Sequence, residues 1–117
     1  MISIIVPVYN VAKSIETCVK SIQLQDFTDW ELLLVNDGSS DDSLAVIQEL
    51  ARTDSRIIVI DKRHSGVSDT RNLALSKMRG EYVCFIDGDD VVEHNHLSNL
   101  YSRRDYDMVI CLSLIHI

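Results

Sequence analysis

Proline is nearly absent: a single residue, Pro7, in a chain of 117. Glycine is scarce too, with four residues. No linker rich in proline or glycine therefore divides the chain, no internal repeat occurs, and the length fits one domain. Basic runs are missing. Eleven lysines and arginines face eighteen carboxylates, a net charge of −7, which argues against nucleic acid as a main partner. An anionic small molecule stays open, because a metal ion reverses the field at one site. No apolar run reaches the ~18 residues of a membrane span. No charged leader with an apolar stretch opens the chain. The expectation is a cytosolic protein, with membrane association of any longer parent left open. The three cysteines, Cys18, Cys84 and Cys111, are widely spaced and form no metal-binding or redox motif, so buried reduced thiols are expected. Glycine-rich phosphate loops are missing as well: neither GxGxxG nor GxxxxGK(S/T) occurs.

What is present is an ordinary globular composition, 46% hydrophobic and 25% charged. Two periodicities alternate. "ISIIVPV" (2–8), "ELLLVN" (31–36), "RIIVI" (56–60) and "YVCFI" (82–86) are short apolar, β-branched runs, the pattern of strands buried on both faces. Between them lie segments with helical spacing. In 12–24, Ile15, Val19 and Ile22 share a face with Cys18 beside them. Asp41 or Asp42 is placed to cap a helix carrying Leu44, Ile47, Leu50 and Ala51. A third helix is expected from Val67 to Met78, with Val67, Ala74, Leu75 and Met78 inward and Gly80 as its C′ residue. A weak helix at 96–101 and a fifth strand at 107–112 complete the pattern. Strand–helix alternation predicts an α/β fold: a mostly parallel sheet with flanking helices and right-handed crossovers. Pro7, at the end of the first strand, is expected to stop the ladder there without damaging a strand interior.

In open parallel sheets, ligands bind beyond the carboxyl ends of the strands. Those ends carry "PVYN" (7–10), "NDGSSDDS" (36–43), "DKRHSGVSDTRN" (61–72) and "DGDD" (87–90). Two like charges at about 4 Å repel by roughly 4 kcal/mol at an effective dielectric near 20. Asp87, Asp89 and Asp90 at the end of a buried strand therefore need solvent, a proton or a cation. Oxygen-only ligands suit Mg²⁺ or Mn²⁺; a solvated acidic turn is the alternative. Asp37 accepts hydrogen bonds from a nucleobase, or else merely shapes its turn. Tyr9 lies beside such a base, or packs. Arg71 reaches a base or phosphate, or pairs with a surface acid. His64 is read as a solvated loop residue.

"SIIVPVYN", "DFTDWELLLVNDGSSDDSL", "RIIVIDKRHSGVSDTRNLAL" and "GEYVCFIDGDDVV" resemble, in order and spacing, the nucleotide-sugar domain of family-2 glycosyltransferases, inverting enzymes of the GT-A fold. The resemblance covers roughly residues 2–93. It implies a Rossmann-like nucleotide-binding half of that fold in residues 1–111, truncated relative to the family. Residues 112–117 match nothing expected of the family and are read as an atypical tail. The resemblance implies that Pro7, Val8 and Tyr9 line a nucleoside pocket. It implies that Asp37 reads a uracil ring and that Arg71, within Thr70-Arg71-Asn72, lies near base and phosphates. Asp89 would ligate Mn²⁺ or Mg²⁺, with Asp87 facing the ribose or completing the metal shell. Asp90 belongs to the motif without an assigned step. The implied partners are a nucleotide-sugar donor and a hydroxyl acceptor, on a glycan, a lipid-linked sugar or another molecule. The general base of inversion is expected beyond residue 117. Two rival readings are a nucleotide-binding module without turnover, and a haloacid-dehalogenase-like phosphotransferase with Asp87 as nucleophile and Asp89 as acid. In that second family the motif normally follows the first strand, whereas here it follows the fourth.

Overall fold

A computed structural model describes residues 1–102 and the backbone of 114–116. The elements run β1 (Ile2–Val8), α1 (Ile15–Gln23), β2 (Trp30–Asp37), α2 (Ser43–Thr53), β3 (Ile57–Lys62), α3 (Val67–Lys77), β4 (Tyr82–Phe85), α4 (His96–Ser102) and β5 (Leu114–His116). The apolar runs at 2–8, 31–36, 56–60 and 82–86 each become a strand, and each segment of helical spacing between them a helix. The expected strand at 107–112, like Cys111, lies outside the described residues. Within the 112–117 segment, residues 114–116 pair antiparallel with β4.

The sheet order is β3-β2-β1-β4-β5. β1 is central and parallel to both β2 and β4, and β2 is parallel to β3. The chain steps outward from β1 through β2 to β3, then crosses back to β4 on the other side of β1. That reversal creates a crevice at the carboxyl ends of β1 and β4, where this class of sheet binds ligands.

Strand alternation divides the core into two layers. On one face Ile2, Ile4 and Val6 of β1 pack with Leu32 and Leu34 of β2, and with Ile15, Val19 and Ile22 of α1. Ile47 of α2 and Leu97 and Leu100 of α4 close the same layer. On the other face Ile5, Leu33, Val35 and Val83 meet Ala74 of α3, flanked by Leu73, Leu75 and Met78. β1 and β2 are buried on both faces, which is why they read as unbroken apolar runs. Val67, expected inside, is half exposed at the first residue of α3.

Two punctuation residues have their reasons in the fold. Pro7 lies near the end of β1, as expected, and the β1–β4 ladder stops just before it. On the other side the strand continues to Val8, with Pro7 paired to Val35 of β2. Ile5 turns its carbonyl toward the β4 side, where it accepts from the Ile86 amide. By the two-residue period, the N–H that Pro7 lacks falls on that same side, past the last β1–β4 pair. The missing donor therefore costs no ladder bond. Gly80 is not a left-handed C′ residue: α3 ends through an extended Met78. Gly80 is glycine for contact, since a Cβ there would sit 2.5 Å from Ser3 Oγ and 2.7 Å from the Met1 carbonyl. Its amide donates to Ser3 Oγ, which donates to the buried Glu31 carboxylate at 2.5 Å. Arg79 binds Glu31 through both its backbone amide and Nε. Burial pushes the Glu31 carboxyl up, but these Ser3 and Arg79 donors outweigh it and hold the group below its ordinary value. This network closes the amino-terminal edge of the sheet, opposite the crevice.

Candidate functional site: the carboxyl edge of the sheet

The loops after β1 and β2 are stitched into one surface. Asn10, in a left-handed conformation (φ 54°), accepts the Ser40 amide on its side-chain oxygen at 2.8 Å. The amides of Asn10, Val11 and Ala12 donate to Ser39 Oγ, Ser43 Oγ and Asp41 Oδ2. Asp41 also accepts the Ser43 amide, so Asp41 rather than Asp42 supplies the carboxylate at the start of α2.

Asp37 ends β2 and is nearly inaccessible. Its carboxylate is filled from within the chain: Oδ1 takes Lys62 Nζ at 2.7 Å and the Ser65 amide at 2.9 Å, and Oδ2 takes the Gly66 amide at 3.1 Å. Burial raises this carboxyl, yet the donors from Lys62, Ser65 and Gly66 more than compensate and leave it below the usual aspartate value. Asp37 thus anchors the β3–α3 loop. Asn36 beside it donates to Asp61 at 2.9 Å.

Tyr9 and His64 form a stacked pair, ring centroids 4.5 Å apart and planes inclined by 26°. His64 Nδ1 lies 3.1 Å from the Asp37 carbonyl and also from Asp37 Oδ2. His64 is a solvent-exposed loop residue, as expected, and it also joins the strand-end tyrosine to the buried aspartate. Gly38 is what lets the two loops meet. With φ +67° it brings the chain so close to His64 that a Cβ would meet the His64 backbone nitrogen at 2.6 Å. Tyr9 is 48% exposed and leaves part of its ring open at the edge.

Arg71 stands on α3 with its guanidinium 5.0 Å from the Phe85 ring centroid, at the end of β4. Its Nε is buried with no hydrogen-bond partner, and Arg71 makes no ion pair among the described residues. The alternative reading, a surface salt bridge, is not what the fold provides.

Beyond Phe85 the chain turns through Asp87-Gly88-Asp89-Asp90, closed by the Asp90 amide donating to the Asp87 carbonyl at 3.0 Å. Asp87, Asp89 and Asp90 are all exposed, and one oxygen from each lies within 4.8 Å of the others. Asp90 thus stands with the expected pair as a third potential ligand. Gly88 is buried beneath them, where a Cβ would press on Val11, Ile15 and the Pro7 carbonyl at 3.2–3.5 Å. Cys18 lies under the turn. Burial pushes its thiol up to about 12, with Asp90, Asp89 and Asp87 adding to the shift, so it stays protonated. Cys18 and Cys84 are both buried and free, as expected. The oxygen-only donor set, solvent-facing and close-set, fits a hard divalent cation that keeps part of its water.

The sequence model of glycosyl transferase family 2 matches residues 3–116. This chain belongs to that family. GlyA, a glycosyltransferase of Streptococcus pneumoniae serotype 4, is 40% identical over 102 residues, covering 87% of this chain and 15% of GlyA. Among solved structures, S. aureus TarS 1–349 in complex with UDP-GlcNAc superposes with a TM-score of 0.81 at 32% identity, covering 89% of this chain and 31% of that one. The mannosyltransferase PcManGT of Pyrobaculum calidifontis, in complex with GDP-Man and Mn²⁺, gives 0.85 at 25% identity over 92% of this chain and 33% of its own. The chain thus spans a third or less of these relatives and represents an amino-terminal region of the GT-A fold. With family and strand order agreeing, the dehalogenase-like reading falls away. No described helix is long and apolar enough to cross a membrane.

Proposed function

We propose that this chain is the donor-binding part of a family-2 glycosyltransferase. It would hold a nucleoside diphosphate sugar, UDP-linked, together with Mn²⁺ or Mg²⁺, for inverting transfer to an acceptor hydroxyl in glycan or cell-envelope polysaccharide synthesis. The observation that carries this reading is the meeting, at one sheet edge, of an exposed carboxylate triad and an arginine without an anionic partner. The similar structures of TarS and PcManGT are complexes with UDP-GlcNAc and with GDP-Man and Mn²⁺, respectively; the greater identity to the former favours uridine.

In this proposal Asp89 and Asp87, with Asp90 beside them, hold the cation, which supplies positive charge to the departing diphosphate. Arg71 offers its unpaired guanidinium to a phosphate or the base. Pro7, Val8 and Tyr9 line the nucleoside pocket, with His64 backing the tyrosine ring. Asp37 has its acceptor sites occupied by Lys62, Ser65 and Gly66. To read a uracil N–H it would have to share an oxygen with one of these donors, so its first contribution is to fix the loop that carries His64. The general base and the acceptor site are proposed to lie outside these 117 residues, so the chain by itself binds donor without efficient transfer.

The test is calorimetric titration of the chain with uridine, guanosine and thymidine diphosphates, each with and without Mn²⁺. Uridine diphosphate should bind best, Mn²⁺ should strengthen it, and Asp89→Asn should abolish the Mn²⁺ effect. Equal affinity for all three nucleotides would remove the base assignment. Indifference to Mn²⁺ would remove the metal assignment.

A further inference from the structure

We propose that Ser14, Cys18, Ser21 and Gln25 act as positioning residues that fix the Asp87–Asp90 turn for its cation. The inference rests on the metal reading of that turn.

These four positions are spaced four, three and four apart, so they lie along one side of α1 and its flanks. That side differs from the apolar stripe of Ile15, Val19 and Ile22, and each of its residues bonds the segment that follows β4. Ser14 Oγ donates to the Gly88 carbonyl at 3.2 Å. Cys18 Sγ approaches the Asp87 carbonyl at 3.5 Å as a thiol donor. Ser21 Oγ accepts the Val92 amide at 3.2 Å. Gln25 uses both ends of its amide, donating to the Glu93 carbonyl at 2.6 Å and accepting the Leu97 amide at 3.0 Å.

The consequence is directional. Carbonyls 87 and 88 are drawn inward onto α1, while the carboxylates of Asp87, Asp89 and Asp90 stand outward in solvent. Three like charges within 4.8 Å drive a free turn apart. A turn held on one side by Ser14 and Cys18, and on the other by Ser21 and Gln25, cannot relax by spreading. Gln25 is 5% exposed in a chain whose other glutamines lie nearer solvent, and its amide, which also donates to the Ser21 carbonyl one turn back at 3.1 Å, reaches across to this span with both ends. Groups behind the ligands that orient them carry a large share of metal affinity.

The experiment follows Mn²⁺ uptake by the whole chain with UDP present, read as loss of the free-ion paramagnetic resonance signal. Gln25→Met and Cys18→Ala should each weaken Mn²⁺ binding about tenfold, within the range for groups that orient metal ligands. Cys18→Ser, which keeps a donor, should restore it. UDP affinity without metal should not change. Ser3→Ala removes a buried hydrogen bond at the opposite edge and serves as the control: it should lower stability and leave Mn²⁺ affinity intact. Unaltered Mn²⁺ affinity in Gln25→Met and Cys18→Ala overturns the positioning role, as does an equal loss in Ser3→Ala. A wild-type chain that takes up no Mn²⁺ overturns the metal reading beneath it.

Discussion

Gly38 shows how one residue without a side chain holds a site together. It occupies φ +67°, and a methyl group would drive into the His64 backbone. Left-handed backbone at a residue other than glycine, asparagine or aspartate costs on the order of 1–3 kcal/mol, and here backbone contact adds to it. Gly38→Ala should therefore lower stability by about 2 kcal/mol. It should also displace the His64 ring from Tyr9 and weaken nucleotide binding beyond what the stability loss explains. Urea unfolding followed by the fluorescence of the buried Trp30, paired with UDP titration at a temperature where the variant is folded, checks both parts. Unchanged UDP affinity in a folded Gly38→Ala would show that the Tyr9–His64 stack does not bear on the nucleotide.

At the scale of elements, α2 is attached to the sheet mainly through one side chain. Ile47 is its fully buried apolar residue, with Leu44, Val46, Leu50 and Ala51 only partly covered. Truncating a buried isoleucine to alanine typically costs 2–5 kcal/mol. Ile47→Ala should fall near the middle, about 3 kcal/mol, by chemical denaturation. Because Asp41 and Ser43 at the head of α2 hold the amides of Ala12 and Val11, loosening α2 should also speed amide exchange across 10–12. If exchange there keeps its wild-type rate while stability drops, the two loops are not mechanically joined. α1 plays the opposite part: its apolar stripe was evident from spacing, whereas its polar side acquires meaning only against residues some seventy positions away.

For the whole molecule, acid stability follows from the carboxylates shielded from solvent and held below their ordinary values, Glu31, Asp37 and Asp54, with the exposed Asp41 lowered as well by its Ser43 hydrogen bonds. Burial opposes ionisation of Glu31 and Asp37, and their donors overcome it. At Asp54, the hydrogen bonds from Arg56 dominate. In each case the unfolded chain takes up its proton first as pH falls. The stabilisation is complete above the ordinary values of 4.5 for glutamate and 3.8 for aspartate, and is lost as pH drops through the lower folded values. Stability should therefore decline below about pH 4.5. Glu31→Gln, which cannot ionise, should be less stable at pH 7 and show a flatter acid limb. Thermal melts between pH 3 and 7 measure this; parallel curves for the two proteins would show that Glu31 contributes nothing to the pH dependence.

The α/β architecture followed from local sequence because each run stands alone. β1 and β2 are buried on both faces and so are apolar without a break, and the helices carry their periodicity wherever they dock. "DGDD" was legible for a similar reason: three carboxylates ending an apolar run pose an electrostatic problem even on paper. The sequence could not say that Asp37 spends its carboxylate on Lys62, Ser65 and Gly66, or that His64 stacks on Tyr9. It could not say that Gly80 is needed for contact with Ser3, or that Gln25 spans Glu93 and Leu97. These pairings join residues 25 to 77 positions apart, and no periodicity carries them. Local hydrophobic spacing determines which elements form. Which polar groups meet at the carboxyl edge is decided only when β1 becomes the central strand and folds the distant loops onto one rim.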